Sequence, residues 1–253
     1  AMRVHQKYFS ISDKDNNLVS KFLFVANSIK NTNRDFRVIE GNERVLKARL
    51  SDASYFYEND ISNTFENWNE KLKHVLFYES LGSLHDKTTR MANISKFFAK
   101  PFGVKPELAQ QAALLSKADL VSEMVMEFPE LQGIMGGYYA RIKNKSQEVS
   151  KAIFEHYKPK GFSDDLPETK LGSLISMVDK IDTLVGFFLI DKKPTGSKDP
   201  FALRRNGFSI AQILINLKVN MSLHEVIEPS IKEYGCYSQS IKLSLINFMI
   251  DKL

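Results

Sequence analysis

The chain has 253 residues, 43% hydrophobic and 26% charged, with 35 basic against 30 acidic side chains and a net charge of +5; this composition excludes a disordered chain and allows one large domain or two small ones. Its longest uncharged apolar stretch, around Thr183 to Ile190, is far short of the roughly 20 residues that cross a bilayer, and AMRVHQKYFS at the N-terminus lacks the apolar core of a secretory signal. The lone Cys236 cannot close an internal disulfide, so a reducing cytoplasm is the expected location.

Ala1 ahead of Met2 reads as a residue left by a tag, which implies a piece of something longer. Val4 to Ile11 and Val19 to Ala26, separated by the polar turn Ser12 to Asn17, predict a strand pair. After Gly41 the spacing of Val45, Ala48, Asp52, Tyr55 and Phe56 predicts a helix over Asn42 to Asn59. Residues 1–63 therefore read as the end of an α/β domain.

From residue 64 to 253 the period is helical almost throughout. One helix spans Asp86 to Lys100 and stops at Pro101. Pro106 opens the next, running to about Glu127 with Leu108, Ala112, Leu115, Ala118 and Val121 as its buried stripe. On that helix Asp119, Glu123 and Glu127 would share a face, for magnesium, for a partner or, most commonly, for solvent. GIMGG at Gly133 to Gly137 breaks the pattern. Helices follow at Ser146 to Tyr157 and Lys170 to Ile190, with a polar loop over Pro159 to Pro167 between them. Asp199 and Pro200 read as cap and first position of a helix over Phe201 to Leu217, Ser222 with Glu225 as a capping box, and Ser238 as the cap of the last helix. The fold class is mainly α.

Leu84 to Leu115 is similar in layout to the opening helices of HD-type phosphohydrolases, whose histidine and aspartate ligands hold divalent metals. His85 or Asp86 falls near the first-ligand slot, His156 matches a later histidine and Asp179 the final aspartate. Where the adjacent His-Asp pair is due, directly after Leu115, the chain has Ser116 and Lys117. An ammonium does not ligate a metal at neutral pH. The expectation is a degenerate HD-like helical bundle over residues 64–253, with no catalytic and no metal-binding residues.

Longer strings carry a second resemblance. SKADLVSEMVMEFPELQGIMGGYYA at Ser116 to Ala140, EGNERVLKARLSDASYFYEND at Glu40 to Asp60, LGSLHDKTTRM at Leu81 to Met91 and PTGSKDPFALRR at Pro194 to Arg205 resemble the β subunit of bacterial heterotetrameric glycyl-tRNA synthetase. The resemblance covers roughly residues 3–215 and implies a middle portion of that subunit, itself non-catalytic. The implied partners are tRNA(Gly), the α subunit and the rest of the β subunit. ATP and magnesium would be used by the α subunit, and this portion needs no cofactor. The basic residues Lys192, Lys193, Lys198, Arg204 and Arg205, with Lys87 and Arg90 extending them, are the expected tRNA-binding set. Two alternatives stay open: a purely architectural domain, in which Arg204 or Arg205 pairs with Asp199 or Asp182, and a metal-dependent phosphohydrolase.

Overall fold

The computed structural model describes residues 7–26, 32–195, 198–235 and 239–251. It divides into two compact units, residues 1–62 with 123–131 and residues 63–122 with 132–253. Helices dominate both.

In the first unit, β1 (Phe9–Ser12) pairs antiparallel with β2 (Leu18–Leu23). The Asp13 carboxylate accepts the backbone N–H groups of Asp15 and Asn17, both at 2.9 Å, which closes the polar turn. Tyr8 packs its ring on Phe22 at 5.0 Å, and its hydroxyl donates to Asn42 at 2.7 Å, tying the hairpin to α1 (Thr32–Ser62). That helix is longer than its predicted span because Gly41 does not interrupt it. A single glycine costs a helix about 1 kcal/mol, too little to break one of 31 residues.

The predicted helix from Pro106 to Glu127 is three pieces. It is α4 (Pro106–Leu115), a 3₁₀ turn at Ala118–Val121 and a short α5 (Glu123–Glu127). Two side chains explain the breaks. Lys117 turns inward, as described below, and Asp60 at the end of α1 accepts the N–H groups of Glu123 and Met124 at 2.9 and 3.0 Å, starting a new helix there. The expected carboxylate face therefore does not form. Asp119 is fully buried, whereas Glu123 bonds Asn59 and Glu127 pairs with Arg49 within the first unit.

The second unit begins with α2 (Phe65–Leu72), which buries Phe65, Trp68 and Leu72, and a small hairpin of β3 (Leu76–Tyr78) and β4 (Gly82–Ser83) that the helical period did not predict. Then come α3 (Leu84–Phe102), α4, α6 (Ile134–Ile142) and α7 (Gln147–Glu155). They are followed by α8 (Lys170–Leu189), α9 (Leu203–Asn216), α10 (Leu223–Glu233) and α11 (Gln239–Ile250). The axis of the bundle is α8, which touches α3, α4, α7, α9, α10 and α11. Its apolar residues Leu174, Ile175, Met177, Val178 and Ile181 are all but inaccessible to solvent, and burying such side chains is the main drive for assembly.

Chain ends of these helices follow local chemistry. Asp86 completes a capping box with Ser83 at the start of α3, which accounts for the His85-Asp86 pair without a metal. Pro101 lies inside the last turn of α3, and the stop is Gly103, whose φ of 65° is the left-handed region glycine tolerates. Asp199 does cap α9, from further back than predicted: its carboxylate takes the N–H groups of Leu203 and Arg204 at 2.8 and 3.0 Å. The Ser222–Glu225 capping box of α10 is present. Cys236 and Ser238 lie outside the described residues.

GIMGG is helical rather than a break, with Gly133 as the N-cap of α6. Gly136 is needed by its neighbours, since a Cβ there would sit 2.9 Å from the Asp119 carboxylate and 3.0 Å from Ile153. That close approach lets the N–H groups of Gly133 and Gly136 donate to Asp119 at 2.6 and 2.9 Å.

Candidate functional site

The polar centre of the second unit is built around α8. Beyond Lys170 at its start, the charged residues of this helix are Asp179, Lys180 and Asp182 in its middle, and charges on a buried helix must find partners. Asp182, fully buried, receives a bidentate grip from Arg90 on α3, at 2.7 Å from Nε and 3.2 Å from Nη2. The guanidinium also lies 4.2 Å from the ring centroid of Tyr234, whose hydroxyl donates to the Asp182 backbone carbonyl. Lys87, one turn earlier on α3, reaches Asp179 at 2.9 Å, Asp182 at 3.1 Å and Thr183 at 2.8 Å.

Lys117 completes the cluster. It follows α4 at the position compared above with the second half of a His-Asp pair, and its ammonium bridges Asp179 and His156. It lies 2.6 Å from Asp179 and 3.1 Å from Nε2 of His156. Nδ1 of His156 is 2.6 Å from the Ile153 carbonyl. A carbonyl only accepts, so the ring proton sits on Nδ1 and Nε2 offers a lone pair to Lys117. Ser116 is turned away, donating to the Ala113 carbonyl.

Electrostatics follow from this geometry. Burial, reinforced by the Lys117 ammonium, holds the His156 imidazole neutral well below its usual pKa. Burial would push the Asp179 carboxyl up, but Lys117 and Lys87 outweigh it and hold the group ionised far below the carboxylate range. The two lysines differ. Burial opposes the charge on Lys87, yet Asp179 and Asp182 together raise its pKa. Burial lowers that of Lys117, which has one carboxylate in contact and the like charge of Lys87 nearby. Burial also pushes Asp119 up to about 6, against the N–H groups of Gly133 and Gly136.

These residues do not fit a divalent cation. An ammonium already stands between the carboxylate and the imidazole that would ligate it, and among the described residues no three of His, Cys, Asp and Glu converge on a common point. His85 is half-buried at the start of α3, where its carbonyl accepts from Thr88 and Thr89.

The expected tRNA-binding residues fall into two groups. Lys87 and Arg90 are interior, 2% and 9% exposed, and engaged as described, so they add nothing to a basic surface. Lys192, Lys193, Lys198 and Arg205 are exposed. Lys193 pairs with Asp191 at 3.0 Å, an exposed contact worth little. Arg204 is half-buried at the start of α9, and Arg205 lines a cavity of about 400 Å³ with Lys160, Asp179, Lys180, Thr183 and Asn206. Asp182 is taken by Arg90 and Lys87, and Asp199 by backbone amides, so neither is paired with Arg205.

Comparison with known proteins bears on the whole chain. A family model described as the glycyl-tRNA synthetase beta subunit matches residues 1–253. The chain belongs to this family. It is similar to glycine–tRNA ligase beta subunits from Coxiella burnetii, at 43% identity, and Rickettsia bellii, at 45%, covering 100% of this chain and 37% of each relative. The subunit from Marinobacter nauticus is 40% identical, over 100% of this chain and 36% of its own length. The chain thus spans little more than a third of these relatives.

Within this family member, Lys160 and Lys180 were not anticipated as site residues. The signal for Lys180 was present in SMVDKIDTL, where a lysine interrupts an apolar helix and must be accommodated inside. Lys117 was legible as the break in the His-Asp pair, but its role as the partner of Asp179 was not.

Proposed function

We propose that the chain is a non-catalytic portion of a heterotetrameric glycyl-tRNA synthetase, contributing to tRNA(Gly) binding and to assembly with the α subunit, where ATP and magnesium would be used. The observation that carries this reading is the Lys117 ammonium between Asp179 and His156. It fills the place of hydrolase chemistry with an internal ion cluster, and leaves the outer cations for recognition. Lys192, Lys193 and Lys198 stand exposed between α8 and α9, and Arg205 follows in the first turn of α9, a distribution suited to phosphates of a folded RNA.

The test is a mobility shift of tRNA(Gly) with the chain over a salt series. Binding is expected to weaken steeply with salt, and the double change Lys192→Glu, Lys193→Glu to lower affinity about tenfold or more. Unchanged affinity in the double variant overturns the RNA contact at this loop. Loss of co-purification with the α subunit at full RNA affinity would assign the loop to docking instead.

A further inference from the structure

We propose that the cavity beside the ion cluster is a phosphate-binding site, in which Lys180, Arg205 and Lys160 hold the phosphate group. The interior of the second unit holds four cations, Lys87, Arg90, Lys117 and Lys180, and four carboxylates, Asp119, Glu155, Asp179 and Asp182, of which Glu155 is taken up by the backbone N–H and hydroxyl of Thr169. Three of the cations have a carboxylate in contact. Lys180 does not. Its ammonium, on a residue 7% exposed, donates to the Ser176 hydroxyl at 2.8 Å and the Lys158 carbonyl at 3.1 Å, both neutral. Its third N–H has no acceptor among the described residues.

A buried charge without a counter-ion is costly, and this one lines an accessible cavity. Arg205 and Lys160 stand on the same cavity, and among the described residues neither has a carboxylate within ion-pair distance. The Asn206 amide adds a neutral donor. Asp179 is the one carboxylate lining the cavity, and Lys117 and Lys87 neutralise it from the inner side. A guanidinium fork, two ammonium groups and an amide offer more donors than a carboxylate ligand can accept. A phosphate, with several acceptor oxygens and up to two charges, matches them. The volume, about 400 Å³, is in the range of small-ligand pockets. Burial, with the charges of Lys117, Arg205 and Lys87, outweighs the neighbouring Asp179 carboxylate and lowers Lys180 to about 8, so it is charged at neutral pH and an anion would hold it so.

The phosphate belongs either to the RNA backbone or to a small phosphorylated molecule, and only the first source rests on the RNA reading above. The experiment titrates inorganic phosphate into the chain at constant ionic strength, reading thermal unfolding and the phosphorus resonance, with Lys180→Met and Arg205→Ala in parallel. Saturable stabilisation of the wild type is expected, with affinity about tenfold lower in each variant. Arg205 is exposed, so its variant tests the site without changing the interior. If phosphate also competes with tRNA(Gly) and Arg205→Ala weakens the RNA complex, the source is the RNA backbone. If phosphate binds through these residues and RNA affinity is unmoved, the source is a small molecule. No saturable effect beyond chloride, or one equal in wild type and both variants, overturns the site. That outcome leaves the RNA reading to the Lys192 and Lys193 test.

Discussion

Replacing Asp179 with alanine is expected to cost about 3–5 kcal/mol of stability, because it strands buried positive charge. Lys87 keeps Asp182 as a partner, so the damage falls on Lys117, whose remaining contacts are the lone pair of His156 and the face of Tyr157, 3.8 Å from its ammonium. This asymmetry makes the effect specific. Adding Lys117→Met to Asp179→Ala removes the stranded ammonium and is expected to restore a large part of the loss, whereas adding Lys87→Met is not, since it would leave Asp182 with Arg90 alone. Urea denaturation of the single and double variants measures the coupling. A loss below about 1 kcal/mol in Asp179→Ala, the level of an exposed pair, would contradict the buried cluster.

Lys180→Met is expected to stabilise the chain at neutral pH by about 3 kcal/mol in the absence of phosphate, and to change the pH dependence of stability in a defined window. The ammonium titrates at about 8 in the folded chain against an ordinary 10.5, a difference worth about 3 kcal/mol at 1.4 kcal/mol per pKa unit. Below pH 8 both states are protonated and the full penalty of the buried charge is present. Between 8 and 10.5 the unfolded chain binds the proton and the folded chain does not, so wild-type stability rises with pH through that window. Other titrating groups are common to both proteins. The difference in unfolding free energy between Lys180→Met and wild type, measured by urea denaturation across this range, is therefore expected to shrink as pH rises. A constant difference would place Lys180 outside the cluster.

The helical plan was legible because it rests on local chemistry. Pro106 opening α4, Ser222 accepting the first N–H groups of its helix, and the long apolar run of α8 all act over a few residues. What escaped depended on contacts distant in sequence. The break after Leu115 exists because Lys117 finds Asp179, 62 residues away, and because Asp60 caps α5 from 63 residues upstream. Likewise GIMGG reads as a breaker in isolation, yet it is a helix start whose small side chains admit Asp119. For the site, composition favoured exposure of Lys87 and Arg90, since lysine and arginine are seldom buried. Only the pair Asp179 and Asp182 on the facing helix reverses that preference. Ser116 and Lys117 were legible as standing where a His-Asp pair was expected, but that the Lys117 ammonium lies between His156 and Asp179 needed the geometry.

The most direct measurement of that substitution is a long-range proton–nitrogen correlation spectrum of His156 in isotopically labelled chain, recorded with and without added zinc. The expected result is a neutral ring protonated on Nδ1, both at neutral pH and below its ordinary pKa of 6.5, and unmoved by zinc. An imidazolium at neutral pH, a proton on Nε2, or a zinc-dependent shift of either nitrogen would show that Lys117 does not occupy the place between His156 and Asp179.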